Sequence, residues 1–197
     1  MFGGNAMSAG SLNRKYYFDA VRGSLFSGHM NQGQVDGQNA LLDYDEQLEW
    51  DDRWLAYLLA TTYHETALTM QPIAEYGKGK GKPYGVPDGP YNQIYYGRGF
   101  VQLTWYDNYQ KQDDKLKLNG QLVRIADTAL DLQIATQIIF GGMADGDFTG
   151  VGLPKYINDS QTDFYNARKI VNGLDQASTI QGYAVKFLNA ITHMAGA

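Results

Sequence analysis

The chain is predicted to be mainly α-helical with a small extended lobe, on three observations. Stretches with apolar residues at helical spacing recur from near Ser11 to the last helix around Ile191. Four of the five prolines (Pro72, Pro83, Pro87, Pro90) and six glycines fall in the single interval 71–97, where missing amide donors and a loose backbone exclude a long regular helix. No linker, internal repeat or low-complexity run divides the sequence. The expected architecture is one domain over residues 11–197, with helical and extended lobes facing each other across a groove, behind a flexible arm at residues 1–10.

The elements follow in order. Tyr17, Ala20, Val21 and Leu25 mark a helix ending near Gly28, and Val35, Leu41 and Leu42 mark a second over 34–45. Asp51 or Asp52 caps a central helix whose apolar residues run nearly all the way round, so it is expected to be enclosed by protein. Short strands are predicted around Tyr95-Tyr96 and Phe100-Val101. Leu130, Ile134 and Ile138 predict a helix over 127–140 stopped by Gly141-Gly142, and another is expected from Asp163 to Asn172-Gly173. Ser178 and Gln181 read as a capping box opening the last helix.

Composition narrows the function. At 197 residues, 44% of them hydrophobic, the chain has enough apolar material for a full core. A formal charge of -5 disfavours a nucleic-acid partner. With no cysteine there is neither a disulfide framework nor a thiolate metal site. His29, His64 and His193 have no metal-ligand spacing, and Leu68 stands where a zincin motif would need a second histidine, so no metal and no cofactor are expected. The N-terminus lacks the pattern of a signal peptide and no apolar run spans a bilayer, which predicts synthesis in a cytoplasm without stable membrane insertion. A monomer is expected.

The chemistry concentrates between Arg53 and Thr104. On a helical projection Trp54, Leu58, Thr61 and Glu65 share one stripe, which aims a carboxylate where the core should be. Burying that carboxylate unpaired costs several kcal/mol, so Glu65 belongs at a cleft edge or is kept protonated by an apolar setting. Glu75, ten residues on, supplies a second acid in the next segment. Glycoside hydrolysis uses such a pair, one carboxyl to protonate the leaving oxygen and one carboxylate to activate water. Asp88, Asp107, Asp113 and Asp114 are other available acids. The alternation of Val101 and Leu103 with Gln102 and Thr104, beside aromatics, suits a segment with one buried face and one face turned to a ligand.

His64-Glu65-Thr66, then Tyr95-Tyr96-Gly97-Arg98-Gly99 running into Gln102-Leu103-Thr104 and Asn108-Tyr109, and finally Ile170-Val171-Asn172-Gly173, resemble in order the signatures of glycoside hydrolase family 19. That family comprises chitinases and the related endolysins of bacteriophages. The resemblance covers roughly residues 50–190, and the lack of cysteines is closer to the phage and bacterial members than to disulfide-bearing plant chitinases. It implies a lysozyme-like bilobal fold and inverting hydrolysis of β-1,4 linkages between N-acetylhexosamines. Glu65 matches the general acid and Thr104 the residue that helps hold the attacking water. Gln102, Asn108 and Asn172 match polar groups near the sugar, and His64, Tyr95, Tyr96 and Arg98 belong to the same signatures and are expected to shape the groove. Glu75 is taken as the base, at roughly 6.5 to 9.5 Å from the acid in a closed site. Phe100 departs from the family pattern, where proline is frequent.

Peptidoglycan is the expected substrate, since the chain is compact and Lys78, Lys80 and Lys82 form a basic edge suited to an anionic wall. The corresponding setting is host cytoplasm first and the cell wall after release. The alternatives are a chitinase, a transglycosylase needing only one acid, and a non-catalytic glycan-binding or virion structural module.

Overall fold

The computed structural model describes residues 12–192; the arm expected at residues 1–10 and His193 lie outside them. Among the described residues seven α-helices carry the fold: α1 (Arg14–Ser24), α2 (Gln32–Leu48), α3 (Asp52–Glu65), α4 (Tyr106–Leu116), α5 (Gln121–Arg124), α6 (Leu132–Asp145) and α7 (Ala177–Thr192). Six two-residue strands among the same residues make three antiparallel pairs. Strand β1 (Ile73–Ala74) pairs with β4 (Arg98–Gly99), β2 (Pro87–Asp88) with β3 (Gln93–Ile94), and β5 (Ile157–Asn158) with β6 (Gln161–Thr162). No helix among the described residues is long and apolar enough to cross a membrane.

Helix α3 is central, as its all-round hydrophobicity predicts. Every residue from Leu55 to Tyr63 is buried, and α7 packs along it while α1 packs on α7. Burying Leu55, Leu58 and Leu59 each contributes about 1.5–3 kcal/mol. Asp51 caps the helix by accepting from Arg53 N at 2.8 Å, and the Arg53 side chain both pairs with Asp51 and reaches the β5–β6 hairpin through Asn158 O and Thr162 Oγ1. Trp54 adds an indole bond to Ile157 O at 2.9 Å. Helix α3 is therefore tied at its start to a hairpin.

A second apolar cluster lies around Tyr95, Leu103, Tyr109, Leu122, Val123 and Ile138, separate from the main one built on α3. These two clusters are the cores of the two lobes. The link 66–72 joins them. Ala67, Leu68 and Met70 all have positive φ there, and Thr66, fully buried, bonds back to Thr62 O and accepts from Met70 N. The link rests on α2: a Cβ added at Gly37 would sit 1.6 Å from Met70 O, so the two backbones touch.

Several expectations are corrected. Tyr95-Tyr96 and Phe100-Val101 are not strands; pairing falls on the flanking residues, because β4 ends at Gly99 (φ +91) and the chain turns there to bring Leu103 back against Arg98. The helix predicted over 127–140 is two elements, a 3-10 turn at Ala126–Leu130 and then α6, because Asp131 accepts from Gln133 N and Ile134 N and starts a new helix. Gly141-Gly142 does not stop α6, which runs on to Asp145 and ends at left-handed Gly146. Gly142 is instead where the Phe148 ring packs on the helix, at 2.1 Å from where a Cβ would be. The helix expected from Asp163 is only a 3-10 turn, Asn166–Ile170, and Ser178 lies inside the first turn of α7 rather than at its cap.

Candidate active site

Glu65 is the last residue of α3, at the point where the buried stripe reaches the surface. Its carboxyl is 18% exposed and Oε1 accepts from Arg168 Nη1 at 2.5 Å. The expected apolar setting is thus corrected, since a guanidinium faces the acid. Arg168 is 3% exposed and held in place by a second bond, Nε to Asp175 O at 3.0 Å. Among the described residues only Oε1 accepts a hydrogen bond, which leaves Oε2 open. Tyr57, one turn before Thr61 on α3, has a buried hydroxyl close enough to Arg168 and Glu65 to feel both charges. Burial pushes the Tyr57 phenol up, and Arg168 acts against that shift.

Glu75 follows β1 directly and is anchored by a backbone exchange with the opposite strand end, its N–H donating to Gly97 O at 2.7 Å. Each carboxylate oxygen then accepts one bond: Oε1 from Tyr84 OH and Oε2 from Gly97 N, both at 3.2 Å. Glu65 faces a full positive charge and Glu75 faces neutral donors.

The loop between them and the rest of the small lobe is more ordered than a lysine-glycine run suggests. Successive tight turns close it, with bonds from Lys78 N to Glu75 O, Lys80 N to Gly77 O, Lys82 N to Gly79 O and Gly85 N to Lys82 O. Gly85 meets the Gly79 carbonyl so closely that a Cβ would lie 1.7 Å from its oxygen. The three lysines project into solvent from this coil.

The signature residues divide between surface and framework. Thr104 is half-buried with a hydroxyl that bonds to no described residue, and its carbonyl accepts from exposed Asn108 Nδ2 at 2.9 Å. Gln102, at φ +55, turns its amide back to donate to Ile73 O at 3.1 Å and so braces β1. Tyr95 is buried with its hydroxyl on Val123 O. Arg98 is 4% exposed, lies over the Tyr96 ring at 3.4 Å, and donates to Asp127, Ile94 O, Tyr96 O and Tyr109 OH. These three form the interior of the small lobe. His64 is half-buried in the last turn of α3. Asn172 is exposed, its N–H donates to Arg168 O at 3.0 Å, and its Oδ1 accepts from Gly173 N, so the Asn-Gly signature closes the turn that carries Arg168.

Two groups result: Glu65 with Arg168 and Asn172, and Glu75 with Tyr84, Gly97 and, through β1, Gln102. Arg168 and Tyr84 are absent from the sequence-derived site. For Arg168 a signal existed, because a cation is one of the partners that can stabilise a carboxylate on a buried stripe and Arg168 stands just ahead of the Asn-Gly pair.

No protein-family model matches the chain, and no curated protein matches it in sequence. Solved structures do match it in fold. Over 99% of its length the chain is similar to chitinase C from Streptomyces griseus, covering 81% of that chain with a TM-score of 0.64 at 19% identity. A mutant chitinase C is matched over 99% of this chain and 98% of that one, with a TM-score of 0.60 at 20% identity. The mainly helical, bilobal architecture is a chitinase-like fold.

Proposed function

We propose that this protein is a glycoside hydrolase that cleaves β-1,4 linkages in an N-acetylhexosamine polymer by single displacement. The observation that carries this reading is a pair of partly buried carboxyls, Glu65 at the end of α3 and Glu75 directly after β1, each held by defined donors within a fold shared with chitinase C. Glu65, protonated on Oε2, gives its proton to the glycosidic oxygen as the bond to the anomeric carbon breaks. Glu75, ionised, takes a proton from the water whose oxygen attacks that carbon from the opposite face, and the Thr104 hydroxyl helps hold the water. The anomeric centre inverts. After product leaves, Glu65 regains a proton and Glu75 loses one to solvent.

Peptidoglycan is the favoured substrate. It is supported by the exposed Lys78, Lys80 and Lys82 on the same coil that supplies Tyr84, a basic edge suited to an anionic wall. Chitin is the second reading, favoured by the fold's likeness to chitinase C. On the first reading the enzyme acts on the bacterial wall as an endolysin-type lysozyme.

The test is digestion of purified peptidoglycan and of soluble chitin oligomers by wild type and Glu65→Gln, with products read by mass spectrometry. Hydrated reducing ends from peptidoglycan, reduced about a hundredfold or more in the variant, are the expected result. Cleavage of chitin alone moves the assignment to chitinase, and anhydro ends move it to a transglycosylase. Binding without cleavage of either polymer overturns the enzymatic reading.

A further inference from the structure

We infer that Tyr84 is a positioning residue for the general base, holding one oxygen of Glu75 so that the other lone pairs face the attacking water. The inference rests on the reading of Glu75 as the base. Of the two bonds to its carboxylate, the one from Gly97 N is fixed by the backbone, because the same two residues exchange Glu75 N–H to Gly97 O at 2.7 Å. The other comes from a side chain nine residues away, so Tyr84 is the adjustable partner that, with the Gly97 N–H, sets the rotation of the carboxylate about its last bond. A single bond each to Oε1 and Oε2 leaves a further acceptor site on both oxygens.

Tyr84 is itself held from two sides. Its backbone stands beside the contact of Gly79 with Gly85, which permits no Cβ and closes the coil. Its ring meets the Trp105 indole edge to face, with centroids 5.6 Å apart. Trp105 adopts φ +70, a strained value for a bulky residue, and is pinned there by its N–H on Tyr95 O at 3.0 Å and by Tyr109 N on its own carbonyl. That conformation sets the indole against Tyr84, directly after Thr104. Burial and the charge on Glu75 both push the Tyr84 phenol up, so it keeps the proton that it donates. A base misplaced by a fraction of its productive geometry loses rate rather than affinity.

The experiment compares Tyr84→Phe, Glu75→Gln and a protein with 3,5-difluorotyrosine at position 84, on whichever polymer the wild type cleaves. The expected result is a kcat about 10- to 100-fold lower in Tyr84→Phe with KM nearly unchanged. The fluorinated protein keeps the ring's shape, and its kcat gains a new loss at the pH where its more acidic phenol ionises. Wild-type kcat in Tyr84→Phe, or an unaltered pH profile with the fluorinated residue, overturns the role of Tyr84. Glu75→Gln separates the two levels: if it stays active the base assignment fails, and if it is inactive while Tyr84→Phe is fully active only the positioning role fails.

Discussion

Arg168 donates to Glu65 from 103 residues further along the chain, and the bond of 2.5 Å is made at the edge of the helical core by a guanidinium that is almost wholly enclosed. Breaking such a pair leaves one charge enclosed without its partner. Glu65→Gln, which leaves the enclosed guanidinium facing a neutral amide, is therefore expected to lower unfolding stability by about 3 kcal/mol, and Arg168→Gln, which leaves a partly exposed carboxyl able to take up a proton, by less. Urea denaturation of the two variants measures the difference; equal and negligible losses are incompatible with the pair as described.

The stereochemistry of the products tests the two-carboxylate reading independently of rate. Freshly released reducing ends are expected in the inverted, α configuration, seen by proton NMR before mutarotation. A complex with an oligosaccharide is expected to place the carboxyls of Glu65 and Glu75 roughly 6.5 to 9.5 Å apart. Retained β products would remove Glu75 from the role of base.

Replacing Lys78, Lys80 and Lys82 together with Gln separates the substrates. Binding to isolated cell walls is expected to weaken and to lose most of its dependence on ionic strength, while cleavage of short neutral chitin oligomers stays near wild type. A sedimentation assay across a salt series reads the first, and initial rates read the second. Unchanged wall binding would leave the lysines without a part in substrate choice.

Stability is expected to depend on pH through Asp45, at the C-terminal end of α2. Burial first, then Asp52 and Glu46, raise its carboxyl to about 7, with Arg14 opposing, and Oδ1 is enclosed without a hydrogen-bond partner among the described residues. The folded state thus holds a proton that the unfolded chain releases near pH 4, so stability falls as pH rises from about 4 to about 7. Asp45→Asn is expected to stabilise the protein at pH 8 by on the order of 1 to 2 kcal/mol, allowing for solvent screening, and to change little at pH 4. Chemical denaturation at the two pH values gives the comparison.

The coil that carries Tyr84 predicts opposite outcomes for two similar substitutions. A Cβ at Gly77 meets nothing, whereas one at Gly85 collides with the Gly79 carbonyl. Gly77→Ala is expected to be silent within about 0.5 kcal/mol, and Gly85→Ala to open the coil to proteolysis and lower activity. Limited proteolysis with an activity assay distinguishes them.

The helical lobe was legible in the sequence because each long helix buries a stripe or, in α3, nearly its whole surface, and periodicity records that directly. Glu65 was legible for the same reason, as a carboxylate on an apolar stripe. Its partner was not, since periodicity is silent about a pairing made across the fold by a residue in a short 3-10 turn. The apolar series Leu130, Ile134 and Ile138 kept helical spacing across a break, and the cap at Asp131 outweighed it. In the small lobe two-residue strands are too short to show alternation, so register followed from glycine turns and from Gln102 bracing β1, which only the folded chain reveals.

The contact of Gly37 with Met70 O has a consequence for how such proteins diversify. Because main chain meets main chain there, no side chain is available to absorb a shift, and α2 acts as a ruler for the position of the small lobe. One residue inserted in α2 ahead of Gly37 would carry the contact about 100° around the helix axis. An inserted residue is therefore expected to be far better tolerated in the outer loops of the lobe than in α2, whose phase is locked.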